Sequence, residues 1–196
     1  MPGPRLKAAL VAAPLLLGCD FSSSPSRQKT IVIATGRLVD AGVALSNLEY
    51  FTSLEAWAAR LAQPGERWVG GFDMPFGLPR ELVQALGWPT DWSACMDHYQ
   101  RLSRADIRST FKAFCAARPV GQKFAHRATD GPAGSSPSMK WVNPPVAFML
   151  HAGVPRLFAA GVQMKLHGET LADRHGLRDA PKHLRISGSP NGCPPP

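Results

Sequence analysis

The sequence predicts an α/β domain whose chain opens in the order β-β-β-α-β, and three observations lead there. Two short apolar runs of strand length, Leu15 to Ser24 and Trp68 to Pro79, each reach an aspartate and then pass into small or turn-forming residues. Between them lie a β-branched run and one amphipathic helical stretch. The chain has 196 residues, 44% of them hydrophobic, enough for one domain with a sizeable core and too few for two full-sized ones.

Taken in order, Leu15 to Asp20 reads as a buried strand. Ser22 to Lys29 is a polar turn, and Thr30 to Leu38, β-branched and apolar, is its hairpin partner. Leu45 to Phe51 is a weaker third strand. Thr52 with Glu55 three residues on suggests a capping box for a helix carrying Leu54, Trp57, Ala58 and Leu61 on one face. Pro64-Gly65 stops that helix, and Arg67 to Asp73 supplies the second aspartate-tipped strand. Pro75, Gly77 and Pro79 shape the loop beyond it.

From about residue 79 to 117 the pattern becomes helical. Pro79 starts a helix with Leu82, Val83 and Leu86 inward and Gly87 as terminator; Trp88-Pro89-Thr90 opens another. Ser103 with Asp106 caps a third, in which Ile107, Phe111, Phe114 and Cys115 line one face as core. These helices read as an insertion flanking the sheet. Residues 143–162 read as helical with breaks at Pro144-Pro145 and Gly153-Val154-Pro155. Residues 163–196, rich in His, Arg, Gly and Pro, read as a divergent, disordered or weakly helical tail.

Charge and cysteine content bound the function classes. A net charge of +8 suits a polyanionic partner such as nucleic acid. The four cysteines form no Cys-x-x-Cys pair, which removes a zinc ribbon and a thioredoxin-like motif and favours free thiols in a reducing cytoplasm. Cys19 and Cys115 read as small core residues. Residues 1–14 are an extension with a rival reading. Arg5 and Lys7 precede an apolar run, Ala8 to Leu17, and then Leu-Gly-Cys, the outline of a lipoprotein signal with Cys19 lipidated. That run is too short to span a bilayer.

If the two aspartate-tipped strands are neighbours, Asp20 and Asp73 meet at one rim of the sheet, where open α/β sheets place their chemistry. Two convergent carboxylates suit a hard divalent cation, Mg2+ or Mn2+, retaining waters and sharing substrate phosphate oxygens. The segment Arg118 to Lys140 has no clear periodicity and gathers Arg118, Lys123, His126, Arg127 and Lys140 against one acidic residue, Asp130. Lys123, Arg127 and Lys140 are candidate phosphate contacts, Arg127 as a bidentate fork, and His126 is a candidate for proton transfer.

Phe-Asp-Met-Pro-Phe-Gly-Leu-Pro at 72–79 resembles the signature of domain of unknown function 429, an uncharacterised, mainly bacterial family described as predicted nucleases of the ribonuclease H fold. The resemblance spans roughly Leu15 to Val162. It includes Cys-Asp-Phe-Ser-Ser-Ser-Pro-Ser-Arg, Ala-Leu-Gly-Trp-Pro, His-Arg-Ala-Thr-Asp and Ser-Met-Lys, in the expected order. It implies a ribonuclease H-like mixed sheet with three antiparallel strands, a crossover helix and a further strand. It also implies hydrolysis of phosphodiester bonds in DNA or RNA by carboxylates holding two divalent cations.

Asp20 and Asp73 would be catalytic carboxylates and metal ligands. Asp130 is the preferred third carboxylate because it lies within the family-like region, ahead of Glu169, Asp173 and Asp179. The family is expected to continue into another strand bearing an acidic residue, and this chain does not, so the fold is expected to be incomplete at its C-terminus. Two alternatives stand beside the nuclease. Asp20-Phe21-Ser22-Ser23-Ser24 resembles the first phosphate loop of sugar-kinase and actin-type ATPases, which would make Ser22 and Ser23 phosphate contacts. A degenerate, non-catalytic nucleic-acid-binding protein would rest on the net charge and the basic segment, Arg118 to Lys140.

Overall fold

β1 (Leu15–Asp20) runs through the interior of a mixed sheet, paired antiparallel with β2 (Ile31–Val39) on one side and parallel with β4 (Trp68–Phe72) on the other. The computed structural model describes residues 14–40, 42–165 and 185–188. β3 (Gly42–Phe51) continues the antiparallel meander, and the strand order is β3-β2-β1-β4-β6-β5, with β5 at Gln163–Lys165 and β6 at Arg185–Gly188. The chain is therefore α/β with a mixed sheet and opens β-β-β-α-β.

Two departures from the sequence reading concern strands. β3 begins at Gly42, three residues before the expected start, and pairs with β2 along its whole length through a register shift at Thr35/Gly36. Gly36 permits that shift, since a Cβ there would lie 2.6 Å from the Ala44 carbonyl oxygen. The second departure is in the tail. Residues 163–196 read as disordered or weakly helical, but Gln163–Lys165 and Arg185–Gly188 form β5 and β6 of the sheet, β6 antiparallel to β4 through Trp68↔Gly188 and Gly70↔Ile186. Strands of three and four residues carry too little periodicity to stand out in a sequence. Residues 1–13, 41, 166–184 and 189–196 lie outside the described residues, and with them most of the N-terminal signal-like segment, Glu169, Asp173, Asp179 and Cys193.

One face of the sheet is covered by helices. Leu17, Cys19, Ile31, Ile33, Trp68 and Phe72 all point to it and are buried. α1 (Leu54–Ala62) lays Trp57 and Leu61 against them, with Trp57 between Phe21 and Phe72 at ring-centroid distances of 4.8 and 6.3 Å. The cap of α1 is Ser53, whose Oγ accepts from the Ala56 N–H at 3.1 Å, and the expected Thr52/Glu55 box is not used. Glu55 instead pairs with Arg156 of α5 (Val146–Ala159) at 3.2 Å.

The helices expected between residues 79 and 117 form as α2 (Arg80–Ala85), α3 (Trp92–Gln100) and α4 (Arg104–Ala116), with Gly87 at φ 64° closing α2. Ser103 and Asp106 make the reciprocal capping box of α4. The aromatic stripe is core: Phe111 is buried and stacks on Tyr99, whose hydroxyl donates to the Ala147 carbonyl at 3.1 Å.

α5 departs from expectation by running unbroken through Gly153-Val154-Pro155. A proline inside a helix costs one backbone hydrogen bond. Ala152, Gly153, Val154 and Leu157 are all buried, and that packing outweighs the local penalty. Gly153 is a point of close approach: a Cβ there would lie 2.2 Å from the Met74 sulfur and 3.3 Å from the Phe21 ring.

Cys19, Cys95 and Cys115 are free and buried. Burial pushes the Cys19 thiol up to about 12 and the Cys95 thiol up to about 11, both raised above the ordinary thiol value. In a Cys193→Ser background, DTNB at pH 8 is expected to modify no described thiol in native buffer and all three in guanidinium chloride. Rapid native labelling of Cys19 would contradict its place in the core. Trp57→Ala is expected to cost about 3–5 kcal/mol in chemical denaturation, because it empties the junction of α1 and the sheet.

Candidate functional site

The parallel pairing of β1 and β4 aligns Leu17 with Gly70, Gly18 with Gly71 and Cys19 with Phe72. One step further along this register come Asp20 and Asp73, and the Asp73 N–H donates to the Cys19 carbonyl at 2.8 Å, so the alignment persists to the strand ends. Side chains alternate along strands, so Asp20 and Asp73 share the face of Gly18 and Gly71, opposite the buried Cys19 and Phe72. Both aspartates are exposed. A Cβ built on Gly18 or Gly71 meets nothing within 4 Å. The two carboxylates thus stand side by side at the C-terminal rim, beside an open patch of sheet.

The Cys19 thiol feels both of them. Burial is the main reason its proton is held tightly; the Trp57 indole acts the other way, and the negative charges of Asp20 and Asp73 both reinforce the effect of burial. Cys19 is a buried side chain of an interior strand, and cleavage ahead of it for lipidation would remove Leu15 to Gly18 from β1. Among the described residues no helix is long and apolar enough to cross a membrane.

A cleft of about 750 Å³ adjoins Asp73. Its floor is Val69 to Phe72 of β4, Asp73 just beyond that strand, and Leu16 and Leu17 of β1; its far walls are Gly134 to Ser136, Pro144, and Val146 and Met149 of α5. Arg127, Ser135 and Ser136 supply its other polar groups. Asp20 lies beside Asp73 at the rim without lining this cleft.

Asp130 occupies a position different from the one its assignment as a third metal carboxylate requires. It is fully buried and receives the Arg127 backbone N–H at 2.8 Å, Arg127 Nε at 2.9 Å and Arg127 Nη2 at 2.7 Å. Ser135 N–H donates to its carbonyl at 2.9 Å. Among the described residues no group of three His, Cys, Asp or Glu side chains gathers in a metal-binding cluster. The Arg127–Asp130 pair closes the turn that forms one wall of the cleft.

The remaining phosphate candidates are also dispersed. Lys123 Nζ donates to the Arg118 carbonyl at 2.6 Å, holding the C-terminal end of α4, while Arg118 meets Glu81. Lys140 is half-buried, and its carbonyl accepts from Ala147 N–H at 2.9 Å, fixing the entry to α5. His126 is exposed. Ser22 and Ser23 are buried, and Ser22 Oγ accepts from the Ser24 N–H at 3.4 Å.

Sequence reasoning missed Arg104, whose guanidinium donates to Ser24 Oγ at 2.9 Å and to the Ser23 carbonyl. This arginine of α4 anchors the loop that follows Asp20. A long-range contact of this kind leaves no signal in spacing.

Asp130→Asn is expected to destabilise the fold by roughly 3–5 kcal/mol, because it removes the negative charge that faces the buried Arg127 guanidinium. Arg127→Met/Asp130→Leu should cost clearly less than the sum of the single changes, a coupling that a double-mutant cycle in urea would measure. Additive costs would remove the pair from this role. No family model, no curated protein and no solved structure matches this chain.

Proposed function

We propose that the chain is a metal-dependent nuclease of ribonuclease H-like type, acting at the Asp20–Asp73 rim on the phosphodiester backbone of a nucleic acid. The observation that carries this reading is the parallel β1/β4 register, which delivers two exposed carboxylates to one rim on one face. The strand order β3-β2-β1-β4, with β4 the first strand parallel to β1, supports it, as does the resemblance of the sequence motifs to those of that family.

The donor set fits a hard cation. Two carboxylates at an open rim leave coordination positions for water and for phosphate oxygens, the arrangement magnesium favours. A bound divalent cation supplies Lewis acidity toward the phosphoryl group and lowers the pKa of an attacking water. The chain's own part is positional. Asp20 and Asp73 are fixed by backbone pairing rather than by loop conformation, and Arg104 holds the turn after Asp20. The cleft beside Asp73 offers room for part of the substrate next to the scissile bond.

The site differs from the family expectation in its third carboxylate. The strand beside β4 is antiparallel to it, and its sequence, Arg-Ile-Ser-Gly, has no acidic residue. Asp130 is committed to Arg127. The proposed reaction therefore rests on two described carboxylates.

Purified protein is expected to bind Mn2+ in isothermal titration calorimetry and to cleave DNA or RNA with Mn2+ or Mg2+. EDTA should abolish cleavage. Asp20→Asn/Asp73→Asn should abolish both binding and cleavage while keeping the parental circular dichroism spectrum. Folded parent protein that neither binds Mn2+ nor cleaves any of single- or double-stranded DNA or RNA would overturn the proposal.

A further inference from the structure

Three basic residues, Arg104, Arg108 and Lys112, follow one another at i, i+4 and i+8 along one side of α4, and all three are exposed. Four residues of helix advance about 6 Å, comparable to the separation of neighbouring phosphates along one nucleic-acid strand. The only acidic residue of α4, Asp106, is on another side, turned back to Ser103 as its capping partner. None of the five ion pairs among the described residues involves Arg104, Arg108 or Lys112. Like charges at i, i+4 destabilise a helix slightly, so the helix carries a row of positive charge that its own acidic residue does not offset.

The row has a fixed origin in the site. Arg104 donates to Ser24 Oγ and to the Ser23 carbonyl, in the loop that leaves Asp20. The Arg104 and Arg108 guanidinium carbons lie 5.1 and 6.0 Å from the centre of the Phe148 ring, a buried residue of α5. One aromatic ring thus contacts both guanidinium groups. From there Lys112 continues outward along the helix. The basic groups of the 118–140 segment make no comparable row, since Lys123 and Arg127 are spent on the fold.

We infer that Arg108 and Lys112, continuing from the Arg104 anchor, form a phosphate track on which a nucleic-acid strand is held as it passes the Asp20 end of the rim. This extends the proposed nuclease reading by naming the surface that binds the substrate backbone. It makes the helical insertion the binding element and the sheet rim the reacting one. Arg104 acts as a positioning residue through Ser23 and Ser24, whereas Arg108 and Lys112 present free-standing charge to phosphates.

The test separates binding from cleavage by working in EDTA. Fluorescence anisotropy with a short fluorescein-labelled single-stranded DNA, and with its duplex, would be recorded across a salt series. The pairs compared are the parent, Arg108→Gln/Lys112→Gln, and Arg37→Gln/Arg67→Gln as a control. The control removes the same charge from the far end of the sheet, where Arg37 pairs with Glu66. For the track variant the slope of log Kobs against log salt should fall by about 1.4 on the single strand or about 1.8 on the duplex. The control should keep the parental slope.

Equal slopes in parent and track variant, with unchanged circular dichroism, would overturn the track. Equal loss in the track variant and control would also overturn it, by reducing the effect to net charge. No binding by the parent overturns it as well. Binding that depends on the track, in protein that shows no cleavage with Mn2+, would sink the nuclease reading and leave the track standing.

Discussion

The hydrogen bond from Asp73 N–H to the Cys19 carbonyl, 2.8 Å long, is the last rung of the β1/β4 ladder, and the candidate site depends on it. Backbone pairing sets which residues stand abreast at the end of two parallel strands. It also sets the face on which their side chains emerge, because alternation along each strand is fixed once one pair is aligned. A slip of one residue would send one carboxylate into the covered face beside Trp57. The hydrophobic pattern guards against that slip: Leu17, Cys19 and Phe72 must all remain under α1 and α5.

The two faces of the sheet divide the work. The covered face is a continuous apolar contact in which Trp57 touches residues from β4 and from the loop after β1. On the opposite face Gly18 and Gly71 carry no side chain, and a Cβ at either would meet nothing within 4 Å. Glycine in a strand interior weakens the strand and often marks close approach by a ligand or another backbone. Here two of them lie abreast, two residues before the carboxylates, with the Cys19/Phe72 pair between. The cleft beside Asp73 adds mainly apolar walls to this polar rim, an arrangement common in sites that orient a substrate through a few fixed polar groups.

Much of the fold was legible because its signals are local. Strand alternation, the Pro64-Gly65 stop, the Ser103/Asp106 box and the Gly87 terminator each lie within a few residues of what they determine. Asp20 and Asp73 were legible for the same reason, each being the first polar residue after an apolar run. Asp130 was read less well, because a carboxylate in a polar segment looks the same whether it faces solvent, a cation or a buried arginine. Its partner Arg127 is three residues away, yet only burial shows that the two face each other. The reading of α5 failed where tertiary packing overrode local propensity, at Pro155. Arg104 was invisible, since its contacts span about 80 residues of sequence.

Gly153 connects the two halves of the site from behind. Its missing side chain is the space into which Met74 and Phe21 fit, and each of these immediately follows one of the rim aspartates. One helical residue therefore serves as a common backstop for both strand ends. The thioether of Met74 can swing aside more readily than the Phe21 ring, so bulk at this position is felt unequally by the two sides. The volume of a residue on a helix, remote from any solvent-facing carboxylate, thereby becomes an adjustment of the gap between Asp20 and Asp73. On the proposed metal-binding reading, tuning such a gap by packing, rather than by replacing either acidic group, would alter cation size preference while leaving the charge of the rim untouched.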